Sequence, residues 1–161
     1  MNDHFKQKIS LVLRSSVFSR LKGQEHHINT TLDRHIISVT LVCGRITSFL
    51  KRFGIQVSEE ELIIAALCHD LGLSDRHDKN VFPTHRDLAL NHGKRSVYYA
   101  KEILGKDFTE MEEEIVRQHM FPMLAPPRYF EGWILITADK FCTVKDFLGS
   151  AFYNLPFHKN S

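Results

Sequence analysis

The side chains with the greatest capacity for chemistry are a histidine-aspartate pair, a distal aspartate and three further histidines. His69 and Asp70 follow the apolar segment Leu62-Ile-Ile-Ala-Ala-Leu-Cys68. An unpaired carboxylate is costly there, so Asp70 must be paired, protonated or bound to a cation. Asp139 repeats the anomaly inside Trp133-Ile-Leu-Ile-Thr-Ala-Asp-Lys-Phe141. Taken singly, each residue has an ordinary explanation: Asp70 salt-bridged to an arginine, Asp139 on the surface beside Lys140, and His35, His92 and His119 packed in a core. Together they fall on five successive expected helices, near the middles or inner ends. One shared site accounts for that better than five accidents. Imidazole and carboxylate together suit Fe, Zn or Mn, and a helix bundle can aim ligands from several helices at one point.

Those helices follow from apolar spacing that is helical almost throughout, without an internal repeat or low-complexity tract. The spacing predicts a helix over 5–21, a break near Gly23, and a long helix over 29–53 ended by Gly54. Ser58, with Glu59, Glu60 and Glu61 in the first turn, starts a helix that runs to about Leu71 and stops at Gly72. A polar loop over 74–83 therefore directly follows His69 and Asp70. Thr84 caps a helix over 84–104, Thr109 begins one that ends near Met120 before Pro122, and a last helix over 129–148 carries Asp139. The tail after Phe157 is expected to fray. The fold class is all-α: one domain over 1–161, a helical bundle with its core over about 26–148.

Composition narrows the function classes. With 161 residues and 43% apolar content, the chain can bury a core without disulfides. A formal charge of +2, from 21 Lys and Arg against 19 Asp and Glu, gives no global field for duplex nucleic acid or a membrane. Cys43, Cys68 and Cys142 are an odd set without Cys-x-x-Cys spacing, as expected of reduced thiols in a cytoplasmic protein. No export signal is expected, and the apolar run over 62–68 is far shorter than the roughly 20 residues that cross a bilayer. Ten histidines are unusual for this length, and the spacing above gives four of them, His35, His69, His92 and His119, a common purpose.

The ordered set Arg34-His35-Ile36, Cys68-His69-Asp70-Leu71-Gly72 and Ala138-Asp139-Lys140 resembles the HD-domain metal-dependent phosphohydrolase superfamily. Asn91-His92-Gly93 and Arg117-Gln118-His119-Met120 stand where binuclear members carry extra ligands. The resemblance implies an HD-domain helical bundle in which His35, His69, Asp70 and Asp139 hold one metal, while Asp70 bridges to a second held by His92 and His119. It implies two divalent transition metals, with Fe or Mn the expected active form and Zn, Ni, Co or Mg as alternatives. The chain lacks a Gly-Tyr-Pro motif and has Leu73 where many relatives have Lys. These departures argue against a cyclic-dinucleotide phosphodiesterase of the HD-GYP type.

The chemistry so implied is hydrolysis of a phosphomonoester or phosphodiester by a metal-activated water, without a protein nucleophile. The expected partner is a small phosphorylated, nucleotide-like substrate. Asp70 is the expected bridging catalytic group. Arg95, three residues after His92, is the first candidate for phosphate, with His77 and Arg128 as further substrate residues and Arg76, Lys79 and Arg86 near the same loop. His85, seven residues before His92, is the candidate proton donor. A di-iron oxygenase with the same ligands and a non-catalytic metal- and nucleotide-binding module are the alternatives.

Overall fold

A computed structural model of the chain describes residues 2–27 and 30–153; Asn29, His158 and the rest of the expected tail lie outside them. The most apolar segment forms its centre. Helix α4 (Glu59–Cys68) buries Leu62, Ile64, Ala65, Ala66, Leu67 and Cys68, so it is apolar nearly all round, as a helix covered on every side must be. Around it stand α1 (Asp3–Arg14), α3 (Leu32–Arg52), α6 (Glu110–Gln118) and α7 (Phe130–Tyr153). Helices α2 (Ser16–Leu21) and α5 (His85–Leu104) close the bundle against the 3-10 turn Leu71–Asp75 that follows α4. Among the described residues the only sheet is an antiparallel pair, β1 (Glu25–His27) and β2 (Thr30–Thr31), at the start of α3.

The all-α class therefore holds, and four expectations are corrected. The first helix is two, because Ser15 ends α1 and starts α2: its Oγ donates to Val12 O at 2.8 Å and accepts Phe18 N–H at 3.0 Å. The long helix starts at Leu32, because Thr30 and Thr31 are strand. Ser58 precedes α4 without a side-chain cap; its N–H donates instead to Glu131 Oε1 at 2.7 Å, tying the start of α4 to α7. Helix α4 stops at Cys68, and Gly72 is not its left-handed terminator. Glycine is required there because the 3-10 turn presses on α5: a Cβ at Gly72 lies 2.3 Å from His92 O and 2.8 Å from Ser96 N.

Other boundaries follow from local chemistry. The Thr84 side chain accepts Asp87 N–H, and Thr109 with Glu112 forms a capping box at α6. Glu112 does more than cap. Only 1% exposed, it accepts from Lys8 Nζ at 2.5 Å and fastens α1 to α6 across the core. Burial pushes the Glu112 carboxyl above its usual range despite the Lys8 bond.

Candidate metal centre

Two helices end at the same point in the core. His69 is the C-terminal cap of α4 and His119 that of α6. Each ring fills a need of its own helix: His69 Nδ1 lies 2.8 Å from Ala66 O and His119 Nδ1 2.7 Å from Val116 O, carbonyls in the last turn. His92, inside α5, sets its Nδ1 2.9 Å from Leu88 O, a carbonyl of the helix interior. The Nδ1 protons belong on these carbonyls, so the Nε2 atoms of all three rings face inward. The negative ends of two helix dipoles converge there as well, which favours a cation.

Asp70 sits between the rings. Its backbone, at φ −112° and ψ 13°, lies in the sparsely occupied bridge region that frees the side chain from both adjoining helices. Oδ2 is 3.3 Å from His69 Nε2, whereas Oδ1 is 3.4 Å from His92 Nε2 and 3.5 Å from His119 Nε2. One carboxylate thus offers one oxygen to each of two groups. The groups His35, His69 and Asp70, and Asp70, His92 and His119, each bring ligand atoms within 4.8 Å of one another, and all five residues are buried. Asp139 completes the first: its Oδ1 is 3.1 Å from His35 Nε2 and 4.0 Å from His69 Nε2.

The donor set fits metal ions. His69 Nε2 is wholly buried without a hydrogen-bond partner. His92 Nε2 and His119 Nε2 are 3.0 Å apart. With both Nδ1 protons directed to carbonyls, that contact opposes two lone pairs and needs a cation or a proton between them. The charges agree. Burial raises the cost of ionising Asp70, yet the His69, His119 and His92 rings hold its carboxyl well below the usual range. Asp139 is likewise held low, against its burial, by its bond from His35 and by His69. Burial pushes His69 down, but the Asp70 and Asp139 charges outweigh it and raise the imidazole to about 9. His119 is pushed down by burial.

Sequence reasoning missed two supports. Asp146 lies two turns beyond Asp139 on α7, and its Oδ2 is 3.3 Å from His35 Nδ1, so it orients that ring. The seven-residue interval was the available signal. His26 on β1 packs against His35, with centroids 4.2 Å apart and the rings tilted by 40°, a contact that a three-residue strand could not announce.

The substrate candidates differ in exposure. Arg95 donates from Nε to Asp75 Oδ2 at 2.7 Å and from Nη2 to Tyr99 Oη at 3.0 Å, with its guanidinium over the Tyr98 and Tyr99 rings. These bonds hold the Asp75 carboxyl low despite its desolvation. His77, His85 and Arg128 are exposed, and the Arg128 backbone N–H is taken by Glu114 Oε1 at 2.8 Å. Arg95 is therefore fixed beside the turn that follows Asp70, whereas the other three stand on the surface.

No curated protein and no solved structure matches the chain. The HD domain family does, over residues 32–143. That span begins with α3, passes His35, the His69-Asp70 pair, His92 and His119, and ends just beyond Asp139; by this match and by the paired ligand groups it encloses, the chain belongs to the HD domain family.

Proposed function

We propose that this chain is a metal-dependent phosphohydrolase acting on a small phosphorylated, nucleotide-like substrate. The observation that carries the reading is the divided Asp70 carboxylate, with Oδ2 toward His69 and Oδ1 toward His92 and His119. In this reading His35, His69, Asp70 and Asp139 hold one divalent ion, and Asp70, His92 and His119 hold a second, Fe or Mn. When bound, such ions lower the pKa of water and withdraw charge from phosphate oxygens.

The chain's own residues supply the rest. Asp70 and Asp139 bring two negative charges to the centre, so two divalent ions leave it at +2, which selects a phosphate anion over a neutral substrate. The carbonyls of Ala66, Leu88 and Val116 fix the imidazole tautomers, and Asp146 fixes His35. Arg95, made rigid by Asp75 and Tyr99, is the proposed phosphate-binding cation, with His77 and Arg128 at the periphery and His85 as proton donor. A held guanidinium loses little freedom on binding an anion.

The test is anaerobic reconstitution with Fe or Mn, followed by metal analysis and hydrolysis assays across phosphomonoesters, phosphodiesters and nucleotides. Two metals per chain with release of phosphate or a phosphomonoester is the expected result. A metal-loaded protein that consumes oxygen and cleaves no phosphoester overturns the reading.

A further inference from the structure

Helix α7 has two sides with different tasks. One carries Asp139 and Asp146 to the metal centre and buries Leu135, Ala138 and Cys142. The other is apolar and exposed. Phe130, Trp133, Phe141, Val144, Phe147 and Leu148 are 40–63% exposed. At 100° per residue, Phe130, Trp133, Thr137, Phe141, Val144 and Leu148 fall on one arc of the helix, with Phe147 at its edge. A solvated helix face does not ordinarily repeat large apolar groups over five turns.

From this face we propose that α7 pairs with α7 of a second copy of the chain, antiparallel about a two-fold axis near its middle. Area is the first argument. Aromatic side chains bury about 150–250 Å² each, so the four partly exposed rings with Val144 and Leu148 offer roughly 600 Å² per copy. Two copies then bury about 1,200 Å², which reaches the size of a specific interface, whereas 600 Å² left open is at the upper limit for a monomer.

Self-complementarity is the second argument, because a two-fold contact sets the same patch against itself. Antiparallel pairing centred near Asp139 sets Phe130 opposite Leu148, Trp133 opposite Val144 and Thr137 opposite Phe141. Each large group then faces a smaller or flexible one. Lys140 borders the arc, and its ammonium is turned onto Asp139 Oδ2 at 3.0 Å, which reduces repulsion across the axis. The pairing packs the outer side of the helical turns from whose inner side Asp146 orients His35.

Sedimentation equilibrium on the full chain, from about 1 to 100 μM, tests the proposal. The expected species is a dimer of about 37 kDa, twice the 18.7 kDa chain. Phe141→Glu and Val144→Glu each place two charges in the pair and should weaken the dimer at least a hundred-fold, with helicity by circular dichroism unchanged. Leu11→Glu, at an exposed apolar site on α1, should leave it intact. A wild-type chain that is monomeric at 100 μM overturns the proposal. So does a dimer that survives both α7 substitutions.

Discussion

Replacing Gly72 by alanine should part the turn that carries Asp70 from the helix that carries His92. The new Cβ meets His92 O at 2.3 Å, Ser96 N at 2.8 Å and Arg95 Cβ at 2.9 Å. None of these atoms belongs to a side chain end that can swing away. Ordinary contact begins near 3.5 Å, so the two segments must separate by about 1 Å. Overpacking of this kind costs about 1–3 kcal/mol. Stretching the 2.8 Å bond from Gly72 N–H to Ser96 Oγ adds about 1 kcal/mol. The total of about 2–4 kcal/mol corresponds to a fall in Tm of roughly 5–15 °C for a domain of this size. The same displacement acts on the 3.4 Å approach of His92 Nε2 to Asp70 Oδ1. Metal-ligand distances tolerate only about 0.2 Å, so under the proposed assignment an ion held by His92 and His119 should be lost first. His35, His69 and Asp139 lie off α5, and an ion held by them should remain. Thermal unfolding and metal analysis of the same Gly72→Ala sample test both parts. A Tm within about 2 °C of the parent, together with two metals per chain, refutes the reasoning.

Four further outcomes follow from the same contacts. His92→Ala or His119→Ala should halve the metal content and abolish hydrolysis while Asp70→Ala loses both; metal analysis decides, and two retained metals in the histidine variants removes them as ligands. Arg95→Ala should keep its metals and lower kcat/KM roughly ten- to a hundred-fold, the loss of a charge-assisted contact of about 1.5–3 kcal/mol, with Arg95→Lys recovering part. Lys8→Met leaves Glu112 buried without its cation and should cost about 3–5 kcal/mol in chemical denaturation, whereas Lys8→Met with Glu112→Leu should restore most of it. Metal binding should release a proton: the His69 imidazole is raised from 6.5 to about 9, so the metal-free fold gains stability from its proton below pH 6.5 and loses that gain as pH rises through about 9. Calorimetric titration with Mn in buffers of different ionisation enthalpy should report release near pH 7.5 and none near pH 10.

The candidate ligand residues were legible as a set, the two aspartates because each broke the apolar pattern around it and the histidines because they fall on the successive helices beside them. Asp70 and Asp139 are carboxylates in apolar helices, and a buried carboxylate needs a partner. The caps at Thr84 and Thr109 were legible from an oxygen three residues ahead of a helical N–H, a signal that Ser58 also carries without capping, because its N–H is tied to Glu131 of α7. What the sequence hid depends on contacts between distant elements. Nothing near Lys8 announces Glu112, 104 residues away. Gly72 looks like a helix stop until α5 is laid against it. Ser15 ends one helix and begins another inside a stretch whose apolar spacing continues through it. The strands β1 and β2 are too short to establish a period of two.

The architecture also explains how so polar a centre can be held in a helical core. Each buried imidazole does a second job for the fold. His69, His92 and His119 occupy carbonyls of their own helices. His35 joins Asp139 and Asp146 on α7. The desolvation of each imidazole is thereby partly offset before any ion arrives. Leu21, Leu32, Ile36, Leu62, Ile64, Leu71, Ile115 and Leu135 are fully buried, so apolar packing fixes the backbone from which the candidate ligands project. A site formed in advance gives up little conformational entropy on binding. The remaining unfavourable features, the orphaned His69 Nε2 and the opposed His92 and His119 nitrogens, are those that an ion relieves.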